Sequence, residues 1–216
     1  TWSNIKIIRS RCHTKILLLM IGWVKIIKDT RNNLCSEDIY LRYPRLVDYK
    51  KWRSIRESSK AFLTPWEPTW YPGEHSLKRY LKLLSIYSQK RKNNTQYSYF
   101  IFNKKNDLLG GINVFNIKRG ISQSCTIGYW IGEVHSNQGY MTKSLILLLR
   151  HLFNDFNFNR VEAACVPNNL ASKSLLERLG FDQEGYAKDY LRINGKWQDH
   201  ILFSLRKKIY NERRKT

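Results

Sequence analysis

Few residues in this sequence are suited to bind a metal ion or to form disulfides. Only four cysteines occur in 216 residues, and none belongs to a C-x-x-C pair or lies at a zinc-like spacing from a histidine. A structural zinc site needs closely spaced sulfur and nitrogen ligands, and a disulfide framework needs a denser cysteine pattern. We therefore expect no metal site and no structural disulfides, as is typical of the reducing cytoplasm.

Long apolar runs are also missing. The longest run, Ile16 to Val24, has nine residues, whereas a helix that spans a bilayer needs about 20. Basic residues precede it, as in a signal peptide, but no small-residue cleavage site follows. We therefore expect a cytoplasmic protein that does not contact the membrane. The first methionine is Met20, and our hypothesis is that residues 1–19 lie upstream of the natural start.

Acidic residues are scarce as well. There are 17 Asp and Glu against 38 Lys and Arg, which gives a formal net charge of +21. A field of this strength attracts polyanions, so an RNA-rich or nucleotide partner is one expectation, and a general compositional bias towards lysine is the alternative. The hydrophobic fraction of 42% and aromatic fraction of 13% indicate one globular domain.

The hydrophobic patterns predict a mixed α/β domain over residues 37–205. An N-terminal extension (1–36) precedes it, and a basic, frayed C-terminal tail (206–216) follows. Runs with a period of two predict strands and runs with a period near 3.6 predict helices, in the order β-α-α-β-β-β-α-β-α-β-β. A helix-length crossover predicts that the fourth and fifth strands are parallel, and Asn194-Gly195 predicts a type I′ hairpin.

A polar stretch between the fourth predicted strand and a helix has the clearest chemical meaning. It reads Ser136-Asn137-Gln138-Gly139-Tyr140-Met141-Thr142. Leu145, Leu148, Leu149 and Leu152 follow at helical spacing, so one face of the helix is buried while its first turn stays open. Amides at such a turn are unpaired and positively polarised, and they can bind a pyrophosphate. An ordinary strand-turn-helix connection is the alternative.

This stretch resembles motif A of the GNAT (GCN5-related N-acetyltransferase) superfamily, although only Gly139 matches that pattern, and Ser136 and Met141 depart from it. The residues around it are similar to those of one branch, the ribosomal-protein-alanine N-acetyltransferases of RimJ/RimL type. The segments that carry this second resemblance include residues 128–132, 138–141, 169–181, 183–191 and 194–200. The resemblance covers about Asp38 to Leu205.

The resemblance implies the GNAT fold, in which the fourth and fifth strands splay apart to hold pantetheine. It implies acetyl-CoA as cofactor, no metal, and the N-terminal α-amine of a ribosomal protein as acceptor, with the enzyme a monomer or homodimer. Backbone groups of residues 137–142 would bind phosphate, and the edge of the fourth strand would pair with pantetheine. The implied cofactor-binding residues are Trp130, Ile131, Asn137, Gln138, Gly139, Tyr140, Met141, Thr142 and Asn169.

Transfer of an acetyl group to an amine needs a proton for the departing thiolate and, in many enzymes, a base for the amine. Many GNAT enzymes use a tyrosine as acid, but Leu176 occupies that position here. The RimJ/RimL branch implies Ser172 instead, and a helix-cap hydroxyl is the alternative. Glu184 and Asp189 are the candidate bases, with Asp199 a third; a surface ion pair or a turn contact is the alternative for each.

The proline-rich segment Leu63-Thr64-Pro65-Trp66-Glu67-Pro68 resembles a segment of the same branch near the acceptor entrance. This resemblance places Trp66 and Glu67 on the acceptor side, with simple loop packing as the alternative. Two other functions stay open on the sequence alone. One is acetylation of a small amine such as an antibiotic or a polyamine. The other is a catalytically weak ribosome- or RNA-binding assembly factor that has kept the fold.

Overall fold

Nine strands form one mixed sheet in the computed structural model, which describes residues 27–28 and 33–214. The strands are β1 (Ile27–Lys28), β2 (Leu34–Cys35), β3 (Ile39–Arg42), β4 (Tyr97–Asn103), β5 (Leu108–Lys118), β6 (Ser124–Ile131), β7 (Arg160–Cys165), β8 (Asp182–Ile193) and β9 (Lys196–Arg206). The helices are α1 (Tyr49–Ser58), α2 (Lys60–Leu63), α3 (Leu77–Lys92), α4 (Tyr140–Arg150), α5 (Leu170–Arg178) and α6 (Lys207–Glu212). None of the helices in the described ranges is long and apolar enough to cross a bilayer.

From β3 onwards the elements follow the predicted order, with the four-residue α2 and short 3₁₀ turns in addition. The sheet begins earlier than predicted, because β1 and β2 lie within the range assigned to an extension. β2 pairs with β3 in antiparallel register, with Leu34 opposite Leu41, and Leu34 and Cys35 are buried. The prediction about residues 1–19 falls outside the described residues.

Apolar side chains cover both faces of the sheet. Tyr97, Tyr99 and Ile101 of β4 belong to a core formed with α4 and α5, whereas the alternate residues Phe100 and Phe102 pack with α1 and α3. This alternation follows from the two-residue period of a strand. The predicted leucine face of α4 is buried. The sheet is therefore held between two helical layers.

The two parallel strands separate after a short paired segment. β6 and β7 pair only from Ser124 opposite Arg160 to Thr126 opposite Glu162. Beyond that point each strand still bonds its outer neighbour, β6 to β5 as far as Ile131 and β7 to β9 as far as Cys165. The inner edges of both strands thus diverge, and the predicted splay is confirmed. A wedge opens towards their carboxyl ends.

Glycine permits the close approach of β5 to the open part of β6. A Cβ atom on Gly110 would lie 2.3 Å from the Trp130 carbonyl oxygen, and one on Gly111 would lie 2.7 Å from the Trp130 indole nitrogen. Real side chains do not tolerate such contacts, so β6 would have to move. The glycine pair therefore holds the strand that forms one wall of the wedge.

The turn of the last hairpin was predicted from the sequence, but the structure of the segment that follows the hairpin was not. Asn194 and Gly195 have φ angles of 44° and 80°, the left-handed pair that a type I′ turn requires. The predicted frayed tail differs from the structure, because Arg206 ends β9 and residues 207–212 form α6. Tyr210 packs on Phe153 with ring centroids 4.7 Å apart, so burial of an aromatic ring orders this basic segment.

Candidate functional site

A cavity of about 540 Å³ lies at the open end of the wedge. We call it the first cavity. Residues from β6, from the turn before α4, from α5 and from the proline-rich segment line it. Eleven of the predicted site residues are among them: Trp66, Glu67, Trp130, Ile131, Asn137, Gly139, Tyr140, Met141, Thr142, Asn169 and Ser172. Residues from distant parts of the chain thus meet at one concave site.

The turn before α4 is shaped to receive an anion. Gly139 caps the helix with φ 75° and ψ −4°, a left-handed conformation, and Asn137 also has a positive φ of 57°. A Cβ atom on Gly139 would meet nothing within 4 Å, so the space in front of the helix is open. The first-turn amides of Tyr140, Met141 and Thr142 have no partner within the helix and carry its positive dipole end.

Two side chains near this turn differ from the sequence-based assignment. The Gln138 amide donates back to the Val134 carbonyl oxygen at 2.8 Å, and Gln138 is not among the residues that line the first cavity. Arg178, which the sequence analysis missed, does line it. Its cationic guanidinium favours an anionic guest near the amides. Because basic residues are common throughout this chain, nothing in the sequence distinguishes Arg178 as a site residue.

Ser172 lies where a proton could be delivered into the first cavity. The Asn169 side-chain oxygen accepts a hydrogen bond from the Ser172 backbone amide at 3.0 Å. The cap of α5 therefore uses the Ser172 backbone and does not use the Ser172 hydroxyl. That hydroxyl is 2.8 Å from the Tyr129 hydroxyl. It also hydrogen-bonds Cys165, whose pKa is raised by burial.

Tyr129 is a functional candidate that was not predicted from the sequence, although it lies in the segment 128–132 that resembles the RimJ/RimL branch. Burial raises the pKa of Tyr129 well above its ordinary value, so its hydroxyl keeps its proton at neutral pH. Tyr129 lines the first cavity together with Ser172. The alternation along β6 could have placed Tyr129 and Trp130 on opposite faces, but pairing with a residue of α5 depends on the wedge.

Glu67, which was predicted to lie on the acceptor side, lines the first cavity and is held by several hydrogen bonds. Its carboxylate accepts two hydrogen bonds from Arg56, one of them 2.7 Å long, and one of 2.8 Å from the Trp70 indole nitrogen. The Arg56 guanidinium lies between two indoles, 4.5 Å from the ring centroid of Trp70 and 4.9 Å from that of Trp130. We call these four residues the Arg56 cluster. It links α1, the proline-rich segment and β6.

The tip of the last hairpin covers the same region. The Asn194 amide donates to the Glu67 carbonyl oxygen at 2.8 Å, and the Cα of Gly195 faces the Thr69 hydroxyl. The proline-rich segment and the tip of the β8–β9 hairpin are therefore in contact.

The geometry does not support Glu184 as a base. Its carboxylate pairs with the Arg160 guanidinium and accepts a 2.6 Å hydrogen bond from Ser204. The ion pair with Arg160 lowers the pKa of Glu184 to about 2, which makes it a poor proton acceptor. Ser204 pairs with Glu162 of β7, within the segment where β6 and β7 are still joined. Glu184 thus lies by the closed end of the wedge, and it is not among the residues lining the first cavity.

Asp189 is likewise absent from the cavity lining. It has a φ of 46° and lies within a register shift between β8 and β9. Its amide donates to Asp199 at 2.9 Å, and the Tyr186 hydroxyl donates to the other Asp199 oxygen at 2.7 Å. The two hydrogen bonds, chiefly the one from the Asp189 amide, lower the pKa of Asp199. The Asp199 carboxylate therefore holds the hairpin bulge through the Asp189 backbone and the Tyr186 hydroxyl.

Glu184→Gln tests this reassignment. The folded-state pKa of Glu184 is about 2, below the ordinary value of about 4.3. The stability that Glu184 contributes is therefore fully present at a pH above about 4.3, and it is lost as the pH falls towards 2. For a partly exposed pair this contribution is below about 1 kcal/mol. We expect kcat to change by less than about twofold, and the Tm difference from the wild type to be larger at pH 7 than at pH 2.5. A large loss of kcat without a loss of stability would restore Glu184 as a candidate base.

Comparison with known proteins gives one family and several relatives. The Acetyltransferase (GNAT) domain family matches residues 38–182. The [Ribosomal protein uS5]-alanine N-acetyltransferase of Escherichia coli is 33% identical over 162 residues, which covers 74% of this chain and 80% of that protein. The Bacillus subtilis protein named "Probable N-acetyltransferase YjcK" is 28% identical over 173 residues, which covers 80% of this chain and 96% of that protein.

Solved structures of similar proteins share the fold. Ribosomal-protein-S5-alanine acetyltransferase from Vibrio fischeri superposes with a TM-score of 0.76 at 26% identity, covering 82% of this chain and 98% of that chain. Mycobacterium smegmatis RimJ in complex with CoA-disulfide gives a TM-score of 0.75 at 26% identity and covers 86% of each chain.

Proposed function

Since this chain belongs to the GNAT acetyltransferase family and is an N-acetyltransferase, we propose that it transfers the acetyl group of acetyl-CoA to the N-terminal α-amine of a ribosomal protein. The observation that carries the reaction is the first cavity, in which an open helix N-terminus, a splayed strand edge and the Tyr129–Ser172 pair meet. The names of the Escherichia coli and Vibrio fischeri relatives support the acceptor class.

The residues present fit the cofactor. Acetyl-CoA supplies an activated acetyl thioester when it is bound. The left-handed Gly139 and the first-turn amides of α4 would hold its diphosphate, with Arg178 adding positive charge. The unpaired inner edge of β6 near Trp130 and Ile131 would hydrogen-bond the pantetheine amides. A bound CoA compound in the Mycobacterium smegmatis relative supports this assignment.

Proton delivery falls to Ser172. Its hydroxyl lies 2.8 Å from that of Tyr129, whose raised pKa keeps the phenol protonated. We assign Tyr129 as the donor to Ser172 and Ser172 as the donor to the departing thiolate, while the proton that the amine loses passes to solvent. General acids positioned in this way contribute about 10²- to 10⁴-fold to a rate. Leu176, at the position of the tyrosine that many family members use, is fully buried and has no proton to give.

Glu67 would receive the acceptor amine. An α-amine has an ordinary pKa of about 8 and is partly neutral at physiological pH, so a strong base is unnecessary. Glu67 is the acidic residue among the described residues that line the first cavity. Because Arg56 balances its charge, Glu67 would accept a hydrogen bond from the neutral amine rather than attract a cation. A polyamine carries several cations and would need uncompensated negative charge, so this arrangement favours a single α-amine. Contact with ribosomal RNA and the oligomeric state stay predictions.

The test uses purified protein, acetyl-CoA and synthetic peptides that copy the N-termini of ribosomal proteins from the same organism. Mass spectrometry should find one acetyl group on the α-amine, and none on peptides whose α-amine is blocked but whose lysines are free. Acetylation of spermidine or an aminoglycoside in preference to every peptide would contradict the proposed acceptor class.

A second measurement separates an enzyme from a binding protein that has kept only the fold. A ligand at 100 times its Kd stabilises a folded protein by roughly 2.7 kcal/mol, so acetyl-CoA should raise the Tm. Absence of any shift at millimolar acetyl-CoA would favour the assembly-factor alternative.

Glu67→Gln should raise the KM for the acceptor peptide by about tenfold, because a hydrogen bond to a charged group contributes about 1.5 kcal/mol or more. The Kd for acetyl-CoA should stay unchanged, since Glu67 lies at the acceptor side. Glu177→Gln, an exposed carboxylate on α5, is the matched control. An equal loss in acetyl-CoA affinity would show that Glu67 shapes the whole cavity and does not act on the amine.

A further inference from the structure

A second cavity, of about 490 Å³, adjoins the acceptor side of the first. Residues of α1 and α2 and the chain from Trp70 to Ser76 line it. The Trp70 indole lines the second cavity and donates to Glu67, which lines the first. The Trp70–Glu67 hydrogen bond thus joins the linings of the two cavities.

The carboxylates of the second cavity are already compensated. Glu57 pairs with Arg53 at 2.9 Å, and Glu74 pairs with Arg79 at 3.3 Å. These two acidic side chains therefore leave little negative charge to attract a cation. The cavity is not built to hold a basic side chain.

The groups that remain free can donate hydrogen bonds. In the part of the chain that the structure describes, the Lys60 ammonium has neither a hydrogen-bond nor an ion-pair partner, and it lines the second cavity. His75 also lines it, but its Nε2 atom, which has no hydrogen-bond partner among the described residues, is itself buried. Burial and the nearby Arg56 lower the pKa of His75, so the imidazole is neutral and Lys60 is the free charge of the cavity.

The remaining wall suits a polypeptide. Trp70, Tyr71 and Pro72 follow one another along the rim, and Tyr71 exposes 69% of its surface. Aromatic and proline surfaces of this kind pack against an extended chain. An extended chain advances about 3.4 Å per residue, so successive side chains of an acceptor could occupy first one cavity and then the other.

We propose that the second cavity binds an acidic side chain of the acceptor polypeptide, a few residues after the amine that enters the first cavity, with Lys60 as the charge that selects it. This inference rests on the proposed transfer to a polypeptide α-amine, and it adds a sequence preference to it. The unpaired Lys60 and the compensated carboxylates favour an anionic group here.

The test uses peptides that share one N-terminal residue and carry a single Glu at each position from the second to the seventh, each compared with its Gln counterpart. The wild type should prefer Glu over Gln by about threefold to tenfold in kcat/KM at one or two neighbouring positions. High salt should weaken that preference. Lys60→Met should abolish the preference and leave kcat/KM for the Gln peptides unchanged. Lys82→Met, an exposed lysine of α3 outside both cavities, should keep it.

The outcomes separate this inference from the proposed function. Transfer to all peptides with no Glu preference at any position would overturn the acidic-side-chain site and leave the proposed function intact. A preference that persists in Lys60→Met would also overturn it. Failure to acetylate any peptide would overturn the proposed function, and this inference with it.

Discussion

Ser172→Ala is expected to lower kcat by about 10²- to 10³-fold, the range of a positioned general acid. The alanine removes the hydroxyl that faces Tyr129 but leaves the helix cap, because Asn169 bonds the backbone amide of residue 172 and not its side chain. Stability and the Kd for acetyl-CoA should therefore stay close to the wild-type values. Steady-state kinetics at saturating acetyl-CoA and calorimetry of cofactor binding measure the two quantities separately.

Tyr129→Phe should produce a loss of similar size. If the two hydroxyls act as one proton path, the double variant should be little worse than either single variant, since residues that act as a unit are strongly non-additive. Ser174→Ala, which removes an exposed hydroxyl from the same helix, is the control and should behave as the wild type. Full activity of Ser172→Ala would reject this proton path and point to water as the acid.

Gly139→Ala is expected to weaken binding of acetyl-CoA by about 10- to 100-fold, equivalent to about 1.4–2.8 kcal/mol. The left-handed φ of 75° is unfavourable for alanine, at a cost of about 1–2 kcal/mol. The added methyl group would also project into the open space where the diphosphate is proposed to lie. Calorimetric titration with CoA and acetyl-CoA measures the change.

Gly73→Ala separates backbone strain from the loss of the anion site. Gly73 has a φ of 76° with nothing within 4 Å of a Cβ atom, so the strain matches that at Gly139, but Gly73 does not line the first cavity. Both variants should lose a few degrees of Tm, about 2–6 °C for this size of change, and only Gly139→Ala should lose affinity. Equal affinities in the two variants would mean that the diphosphate lies elsewhere.

The local elements could be predicted because neighbouring residues decide them. The leucine spacing of α4 and the left-handed Asn194-Gly195 pair reflect periodicity and backbone sterics within a few residues, and both agree with the structure. The tail after Arg206 was not predictable in this way. Its order comes from the packing of Tyr210 on Phe153, a contact between residues far apart in the chain.

The partners of the carboxylates, and the position of Glu184, could not be predicted from the sequence. Glu184 and Asp189 were the predicted bases, and strand register carries Glu184 to the closed end of the wedge, where Arg160 neutralises it. Glu67 was predicted on the acceptor side, but its three hydrogen bonds to Arg56 and Trp70 could not be inferred from spacing.

By itself the sequence determined the order of the main strands and helices from β3 to β9, the open first turn of α4 and the resemblance that implied an acetyltransferase. Only the tertiary structure decided which side chains share the cavity, such as Tyr129 and Ser172, 43 residues apart. The physical reason is that periodicity and turn chemistry act over one or two turns of chain. The meeting of distant hydroxyls and carboxylates depends instead on strand register and on the point where two parallel strands cease to pair.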